Sequence, residues 1–454
     1  MAESAGLLFC PLEFRYGRPE VRALFDRSAR LERALRVEAA LALAEAEVGL
    51  VPKEAAAAID RTVESGVVKL ARVDELEAAL KHDVMAISRA LAEAAGPSGG
   101  WVHLGATSGD ITDTALALEL REAAQFLRDD LTGLARALLG LARRHRATPE
   151  VGRTHGQHAV PLSFGYKMAV GGAEVMRHRD RLDELRPRLE VGKMAGAVGT
   201  GAGFGEQAAR IEELVMERLD LGIEEAPTQI VGRDRLAEFT NFLALVAGTA
   251  ERLATEVRNL QRTEIGEVQE AFDEERQVGS STMAQKRNPM LSENVTSLAR
   301  LVRALALPPL ENMVLWHERD LANSANERIV IPHAVVLLDD LLGKLRDVFE
   351  HLEVREEAMR RHLEAAAGAP MTEGLMLALA THGVPRSEAH EILRALTRSG
   401  GSGTLVDRAL RSAPITAHLS PEEIREALDP ARYVASAAAK TDRILARLEP
   451  CLDR

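Results

Sequence analysis

Residues 233–268 read RDRLAEFTNFLALVAGTAERLATEVRNLQRTEIGEV, one unbroken run with the apolar spacing of a helix. A mean helix in a compact domain has about 11–12 residues, so a run this long demands neighbours of similar length. Residues 18–50 repeat the same spacing, and a second run covers roughly 74–95, ending at AGPSGG. A further helix reads from Asp110 or Thr112 to about Arg146, and another over 161–187, opened by Pro161. Asn288 and Pro289 look like a helix entry, with Asn288 as N-cap and the helix reaching about Ala306. Residues 324–351 form one more long helix. No strand alternation stands out. The expectation is an all-α chain built round a bundle of long helices.

Composition agrees. Aromatics are 3% and apolar residues 46% of 454, so the core must be mostly Ala, Leu, Val and Ile, which suit helices here. From about 355 short helices alternate with GAPMT, GVPRS, RSGGSG and SAPIT. Three helical domains are therefore expected: 1–108, 109–354 with a polar loop at 273–290, and 355–454. A net charge of −12 argues against nucleic acid as partner, though a local cluster of Arg and Lys can still hold an anion. The longest apolar runs are too short to span a membrane. The opening MAESAGLLFCPLEF lacks the basic n-region of a signal peptide, so a cytoplasmic setting is expected. Cys10 and Cys451 have no metal-ligand spacing.

Four polar islands interrupt the helical pattern. They are KHDV (81–84), WVHLGATSGDITDTA (101–115), GRTHGQHAVPLSFG (152–165) and GSSTMAQKRNPMLSEN (279–294). They offer hydroxyls, imidazoles, amides and cations. His155 and His158 stand three apart, but no HExxH or third ligand accompanies them, so no metal is expected. The segment GTGAGFG lacks GxGxxG spacing and follows no expected strand, which speaks against a dinucleotide site. The remaining chemistry is acid–base work on an anionic substrate. Imidazole exchanges protons near neutral pH, hydroxyls and amides hold carboxylates or an oxyanion, and arginines clamp anions.

GSSTMAQKRNP resembles the signature loop of the fumarase/aspartase superfamily, all-helical homotetrameric lyases that release fumarate. RYGRPEV (15–21), KHDV, HLGATSGDITDTA, RTHGQH (153–158), TQIVGRDR (228–235) and WHERDLANSANER (316–328) are similar to the adenylosuccinate lyases within it. That resemblance implies a 20-helix core shared by four subunits, with sites built between subunits. It implies anti β-elimination of fumarate from a succinyl-substituted purine nucleotide or ribotide, with no cofactor.

By position, the resemblance makes His155 the general acid and Ser280 the base, with His82 supporting His155. Ser281, Lys286, Asn288, Thr107 and Ser108 would hold the succinyl carboxylates. Arg15, Tyr16, Ser324 and Arg328 would meet the phosphate, with Arg319 nearby. Gln229 and Asn294 would touch substrate, and His82 and His103 would line the pocket. Lys81, Asp83, Thr154 and Arg287 complete the candidate set from the same islands. A serine base needs a site closed to water and a nearby cation, which Lys286 can supply. FDEERQVG before the serines suits a mobile lid.

Bland readings stand beside these. His155 alone would be a helix-end histidine, and Ser280 and Ser281 alone a linker. Thr107 and Ser108 can simply cap a helix, and Arg287 can be a solvated cation. Asp110 and Asp113 are read as structural, and Glu293 as a first-turn acid or an orienting group. Ala284 and Gln285 stand where the family usually has Pro-His, and Gln before the lysine is a feature of argininosuccinate lyases. Argininosuccinate lyase and 3-carboxymuconate cycloisomerase are thus the enzymatic alternatives, and a catalytically dead helical scaffold the non-enzymatic one.

Overall fold

The computed structural model describes residues 10–272, 282–283, 285–366, 368–398 and 403–453. Among these the architecture is helical, with three small two-stranded sheets. The long helices run Arg27–Glu47, Ser108–Arg144, Phe164–Leu189, Asp234–Leu260 and Ser324–Glu350. None of the helices among the described residues is long and apolar enough to cross a membrane.

The chain divides into two compact units, and the division falls inside the long helices. The first comprises Met1–Leu131, His178–Glu251 and Val295–Gly343. The second comprises Thr132–Arg177, Arg252–Asn294 and Lys344–Arg454.

In the first unit the Arg27–Glu47 helix starts where the Asp26 carboxylate accepts the Ser28 N–H at 2.7 Å. It is buried on two sides. Val37, Leu41 and Ala44 pack with Ile111, Leu118, Phe204 and Leu214. Leu31, Leu35, Ala42 and Ala46 pack with Ile59, Val73 and Leu91. Alanine on both faces lets other backbones come close, which a helix bearing large side chains all round would prevent.

The helical run expected at 74–95 is two helices, Leu70–Leu80 and Asp83–Ala94. Lys81 ends the first in the left-handed region (φ +56°). His82 is extended, and its Nδ1 accepts the Met85 N–H at 3.3 Å as the N-cap of the second. The Ser108–Arg144 helix begins two residues earlier than Asp110, because the Asp110 carboxylate reaches back to the Thr107 N–H at 2.8 Å.

In the second unit a β-hairpin replaces an expected loop and helix start. Strands Pro149–Thr154 and Gln157–Ser163 pair antiparallel, with Val151 opposite Pro161. Pro161 therefore sits in a strand, and the helix opens at Phe164, where Ser163 Oγ accepts the Tyr166 N–H at 3.1 Å. His155 and Gly156 form the two-residue turn, both with positive φ (+55° and +74°), as a type I′ hairpin turn requires. The C-terminal helices close over Leu375, Leu379, Leu405, Ile415 and Ile424. Capping boxes start two of them, Thr404 with Asp407 and Ser420 with Glu423.

Candidate active site

The first unit holds a cleft of about 1020 Å³, and four separated stretches of chain bring candidate residues to its walls. Lys81, His82 and Asp83 come from the break between two helices, and Thr107 and Ser108 from the start of the 108–144 helix. Gln229 comes from the segment before the Asp234–Leu260 helix. Arg319, Ser324 and Arg328 come from the entry to the Ser324–Glu350 helix. Nine candidate residues, five of them from the polar islands, thus share one cavity.

Their geometry is set by hydrogen bonds among themselves. Arg319 Nη1 donates to Gln229 Oε1 at 2.9 Å, and the Gln229 N–H donates to the Glu318 carbonyl at 3.2 Å. Arg328 Nη2 donates to Asp83 Oδ2 at 2.6 Å. Burial works to raise the Asp83 pKa, but the Val84 N–H and Arg328 outweigh it and hold the carboxyl below the usual range. Because His82 Nδ1 accepts a backbone N–H, its ring proton belongs on Nε2. The Lys81 ammonium makes no hydrogen bond or ion pair with the described residues.

A buried charge clamp holds these walls together, and the sequence reading missed most of it. Arg233 grips Asp113 with two bonds (2.7 and 3.0 Å) and reaches Glu327 through Nε at 3.0 Å. Asp113 also accepts the Val231 N–H at 2.8 Å. One guanidinium thus ties the 108–144 helix, the Gln229 segment and the 324–350 helix. Burial works against the charge on Arg233, but its two carboxylates raise its pKa further. The signal for it lay inside the quoted motifs, in the first Arg of TQIVGRDR, the second Asp of GDITD and the Glu of NSANER. On the same side, Arg30 forks onto the buried Glu119 at 2.9 and 3.0 Å.

Asp110 is structural, as read from sequence. Its carboxylate takes the fully buried Lys193 ammonium and the backbone N–H groups of Ala195 and Gly196. It thereby fastens the glycine-rich segment to the residues beside Thr107.

Arg15 and Tyr16 stand outside the cleft lining, the Arg15 guanidinium 5.9 Å from the Tyr16 ring centre. Their segment is pinned instead by Arg18, which bonds Asp130 at 2.8 Å and the buried Asp339. Gly17, at φ +79°, lies where a Cβ would come 2.3 Å from Val336. His103 also stands outside the lining, its Nδ1 2.7 Å from Glu38 Oε1.

The second unit carries the remaining candidates. His155 is exposed at the hairpin tip, next to Thr154, and its ring bonds none of the described residues. Below the tip, Arg153 forks onto the buried Glu267 at 2.8 and 2.7 Å. Lys167 bridges Glu150 at 2.7 Å and Glu256 at 2.6 Å. Burial pushes the Glu150 carboxyl up to about 7, against the pull of Lys167.

Ser280 and Ser281 lie outside the described residues, as does Ala284. The flanks of their loop are described. Gln261 accepts the Glu270 N–H at 2.9 Å and donates to the Arg287 carbonyl at 3.1 Å, so one side chain pins both ends. The Arg287 guanidinium lies 5.4 Å from the Phe272 ring centre. The helix after the loop runs Met290–Ala304, so Asn288 precedes the N-cap position instead of filling it. The Met290 N–H goes to the Asn288 carbonyl at 2.9 Å, and the next two go to the Glu270 carboxylate, Leu291 at 3.1 Å and Ser292 at 2.8 Å. Lys286 sits four residues before this helix, its N–H on the Met283 carbonyl at 3.1 Å. Asn294 Oδ1 accepts from Lys344 at 2.7 Å.

The arrangement can bind anions on Lys81, Arg319 and Arg328 and exchange protons through imidazole. A family described as Lyase matches residues 13–304, and one described as Adenylosuccinate lyase C-terminus matches residues 368–444. The chain is 46% identical over 441 residues to the adenylosuccinate lyase of Pyrococcus horikoshii, covering 97% of this chain and 98% of that one. It is 44% identical over 438 residues to the adenylosuccinate lyase of Methanothermobacter thermautotrophicus, covering 96% and 98%. Among solved structures, fumarate lyase from Mesorhizobium sp. BNC1 superposes with a TM-score of 0.86 at 31% identity, over 95% of this chain and 98% of that one.

Proposed function

The chain belongs to the adenylosuccinate lyase family, and from that membership we propose that it eliminates fumarate from adenylosuccinate to leave AMP. The same step on the succinyl-carboxamide ribotide belongs to this reading. The observation that carries it is the cleft that gathers Lys81, His82, Asp83, Thr107, Ser108, Gln229, Arg319, Ser324 and Arg328.

In this reading Ser280 removes the proton beside a succinyl carboxylate. The carbanion is held as an aci-carboxylate, with Ser281, Lys286 and Asn288 stabilising its charge. His155 protonates the departing purine nitrogen, and fumarate leaves. A serine serves as base only when water is excluded and a cation is close. The loop that carries Ser280 and Lys286, tied at both ends through Gln261, suits that closure. Arg319, Ser324 and Arg328 offer donors for a phosphate, and Thr107 and Ser108 for a carboxylate.

The active form is a homotetramer in this reading, with each site drawn from more than one subunit. An exposed apolar run supports it: Leu307, Leu310, Met313, Val314, Trp316 and Leu321 lie along 307–321, with Val314 80% and Trp316 75% exposed. So much uncovered apolar surface in one stretch favours burial against another chain.

The test is to incubate the pure protein with adenylosuccinate and follow AMP and fumarate. Production of both supports the reading. A folded protein that leaves adenylosuccinate intact but cleaves argininosuccinate overturns it. Dilution followed by mass photometry should show activity lost together with the tetramer; an active monomer removes the shared-site claim.

A further inference from the structure

Residues 316–322 form an irregular segment just ahead of the Ser324–Glu350 helix, and Arg319, Asp320 and Leu321 from it line the cleft of the first unit. None of residues 316–322 is buried, and Trp316 is 75% and Leu321 68% exposed. Packing within the chain therefore does little to fix the segment. His317 also holds a left-handed φ of +51°, a region that non-glycine residues seldom enter. Hydrogen bonds must supply what packing does not.

They come from Asp320. Its Oδ2 accepts the Trp316 N–H at 2.7 Å, and its Oδ1 accepts the Ala322 N–H at 2.7 Å. One carboxylate thus ties the chain four residues before it to the chain two residues after it. Each oxygen serves one N–H, a pairing that a side-chain amide, with a single oxygen, cannot reproduce. The bonds from Ala322 and Trp316 hold the Asp320 carboxyl below the usual range.

The residue that this turn presents is Arg319. Its Nη1 donates to Gln229 Oε1 at 2.9 Å, while the Glu318 carbonyl accepts the Gln229 N–H at 3.2 Å. Side chain and backbone of the segment therefore meet the same glutamine. The Arg319 Nε–H is buried and bonds none of the described residues. Arg27, Arg30, Arg33, Arg233 and Arg328, the other arginines of the cleft lining, each pair with a carboxylate. Among the described residues Arg319 has no carboxylate partner. Its charge is left for an anion, and its place depends on a turn that packing does not hold.

We infer that Asp320 is a positioning residue for the lyase reaction: it closes the 316–322 turn and so holds Arg319 at the cleft wall, beside Gln229, for an anionic group of the substrate. The inference rests on the proposed lyase function. It gives a role to a residue of WHERDLANSANER that the resemblance leaves unassigned. A guanidinium held in place beforehand loses less freedom when the anion arrives, so the effect falls on binding more than on the chemical step.

The experiment uses the whole protein and two readouts. The first is backbone hydrogen–deuterium exchange of peptides covering residues 314–324, by mass spectrometry, which needs no activity. Asp320→Ala should speed exchange at the Trp316 and Ala322 amides about tenfold or more. The second is KM and kcat for adenylosuccinate in a double-mutant cycle with Arg319→Ala. Asp320→Ala should raise KM about tenfold, with kcat within about threefold. Asp320→Asn, which keeps one acceptor, should raise KM less. In the Arg319→Ala background Asp320→Ala should add little, because the guanidinium that it positions is gone. A merely structural loss would have the same effect in both backgrounds.

A folded Asp320→Ala protein with unchanged KM overturns the inference, and so does an effect on KM that is equal with and without Arg319. Unchanged exchange over 314–324 overturns it as well; Asp320→Asn, which can accept only one of the two bonds, gives the same reading if Asp320→Ala does not fold. If the wild type cleaves no adenylosuccinate, the lyase reading falls by itself; the exchange measurement still decides whether Asp320 holds the turn that carries Arg319.

Discussion

Arg328 donates to Asp83 at 2.6 Å across 245 positions of sequence, and the two side chains close one wall of the cleft. Asp83 is itself held by the Val84 N–H at 2.8 Å, so the guanidinium is aimed from a fixed point. Asp83→Asn should loosen Arg328 and raise KM for the nucleotide about fivefold, with kcat within about twofold. Arg328→Ala should raise KM by about 10- to 100-fold. Steady-state kinetics decide it: an unchanged KM in both variants removes Arg328 from substrate binding.

Ser280→Ala should lower kcat by about 10³-fold or more, the range for losing a general base. Isothermal calorimetry should still record substrate binding, because the anion-holding side chains remain. Retention of most of the activity would assign the base to another residue.

The clamp of Arg233 on Asp113 and Glu327 makes a separate prediction about stability. All three side chains are at least nine-tenths buried. Arg233→Met leaves two buried carboxylates facing each other and should cost about 3–5 kcal/mol in urea unfolding. A loss below about 1 kcal/mol would mean that the clamp is solvated in solution.

Glu45 makes stability depend on pH. Its folded pKa of about 8 lies above its ordinary 4.5, so the native state holds a proton that the unfolded chain releases. Stability is therefore full below about 4.5 and declines as pH rises toward 8. Glu45→Gln removes that decline. Thermal melts should show the variant more stable by on the order of 1–3 kcal/mol at pH 8, with the gap closing near pH 4.5. A gap independent of pH would show that Glu45 is not held protonated.

Much of the helical framework was legible. The apolar spacing of 233–268 holds over the Asp234–Leu260 helix but overshoots its end by eight residues, where Val268 already begins a short strand, and 324–351 matches Ser324–Glu350. The hairpin at 149–163 was not legible. Gly152 breaks the alternation where the register shifts, and the turn is His-Gly in place of the commoner Asn-Gly. The break at Lys81 was hidden for a different reason: the flanking helices carry continuous apolar spacing, while a single left-handed residue changes the direction of the chain.

The site divides in the same way. The polar islands could be picked out because hydroxyls, imidazoles and Asn-Pro steps interrupt an apolar period. Glu38, Glu270 and Gln261 could not, because a charged or polar residue looks ordinary within a helix, as Glu38 is, or just beyond one, as Gln261 and Glu270 are. Glu270 took the helix-capping bonds expected of Asn288, since a carboxylate brought from outside the helix fits its N-terminal N–H groups.

The sequence by itself determined the helical class, the approximate extent of the long helices and the polar segments, two of which line the cleft. These follow from periodicity and side-chain type, which are local properties. Only the tertiary structure decided that Arg233 clamps three walls, that Glu38 stands behind His103, and that Glu45 is buried with neither carboxylate oxygen bonded to a described residue. Desolvation and Coulomb energy depend on burial and on distances between residues far apart in the chain, and neither can be read from spacing along it.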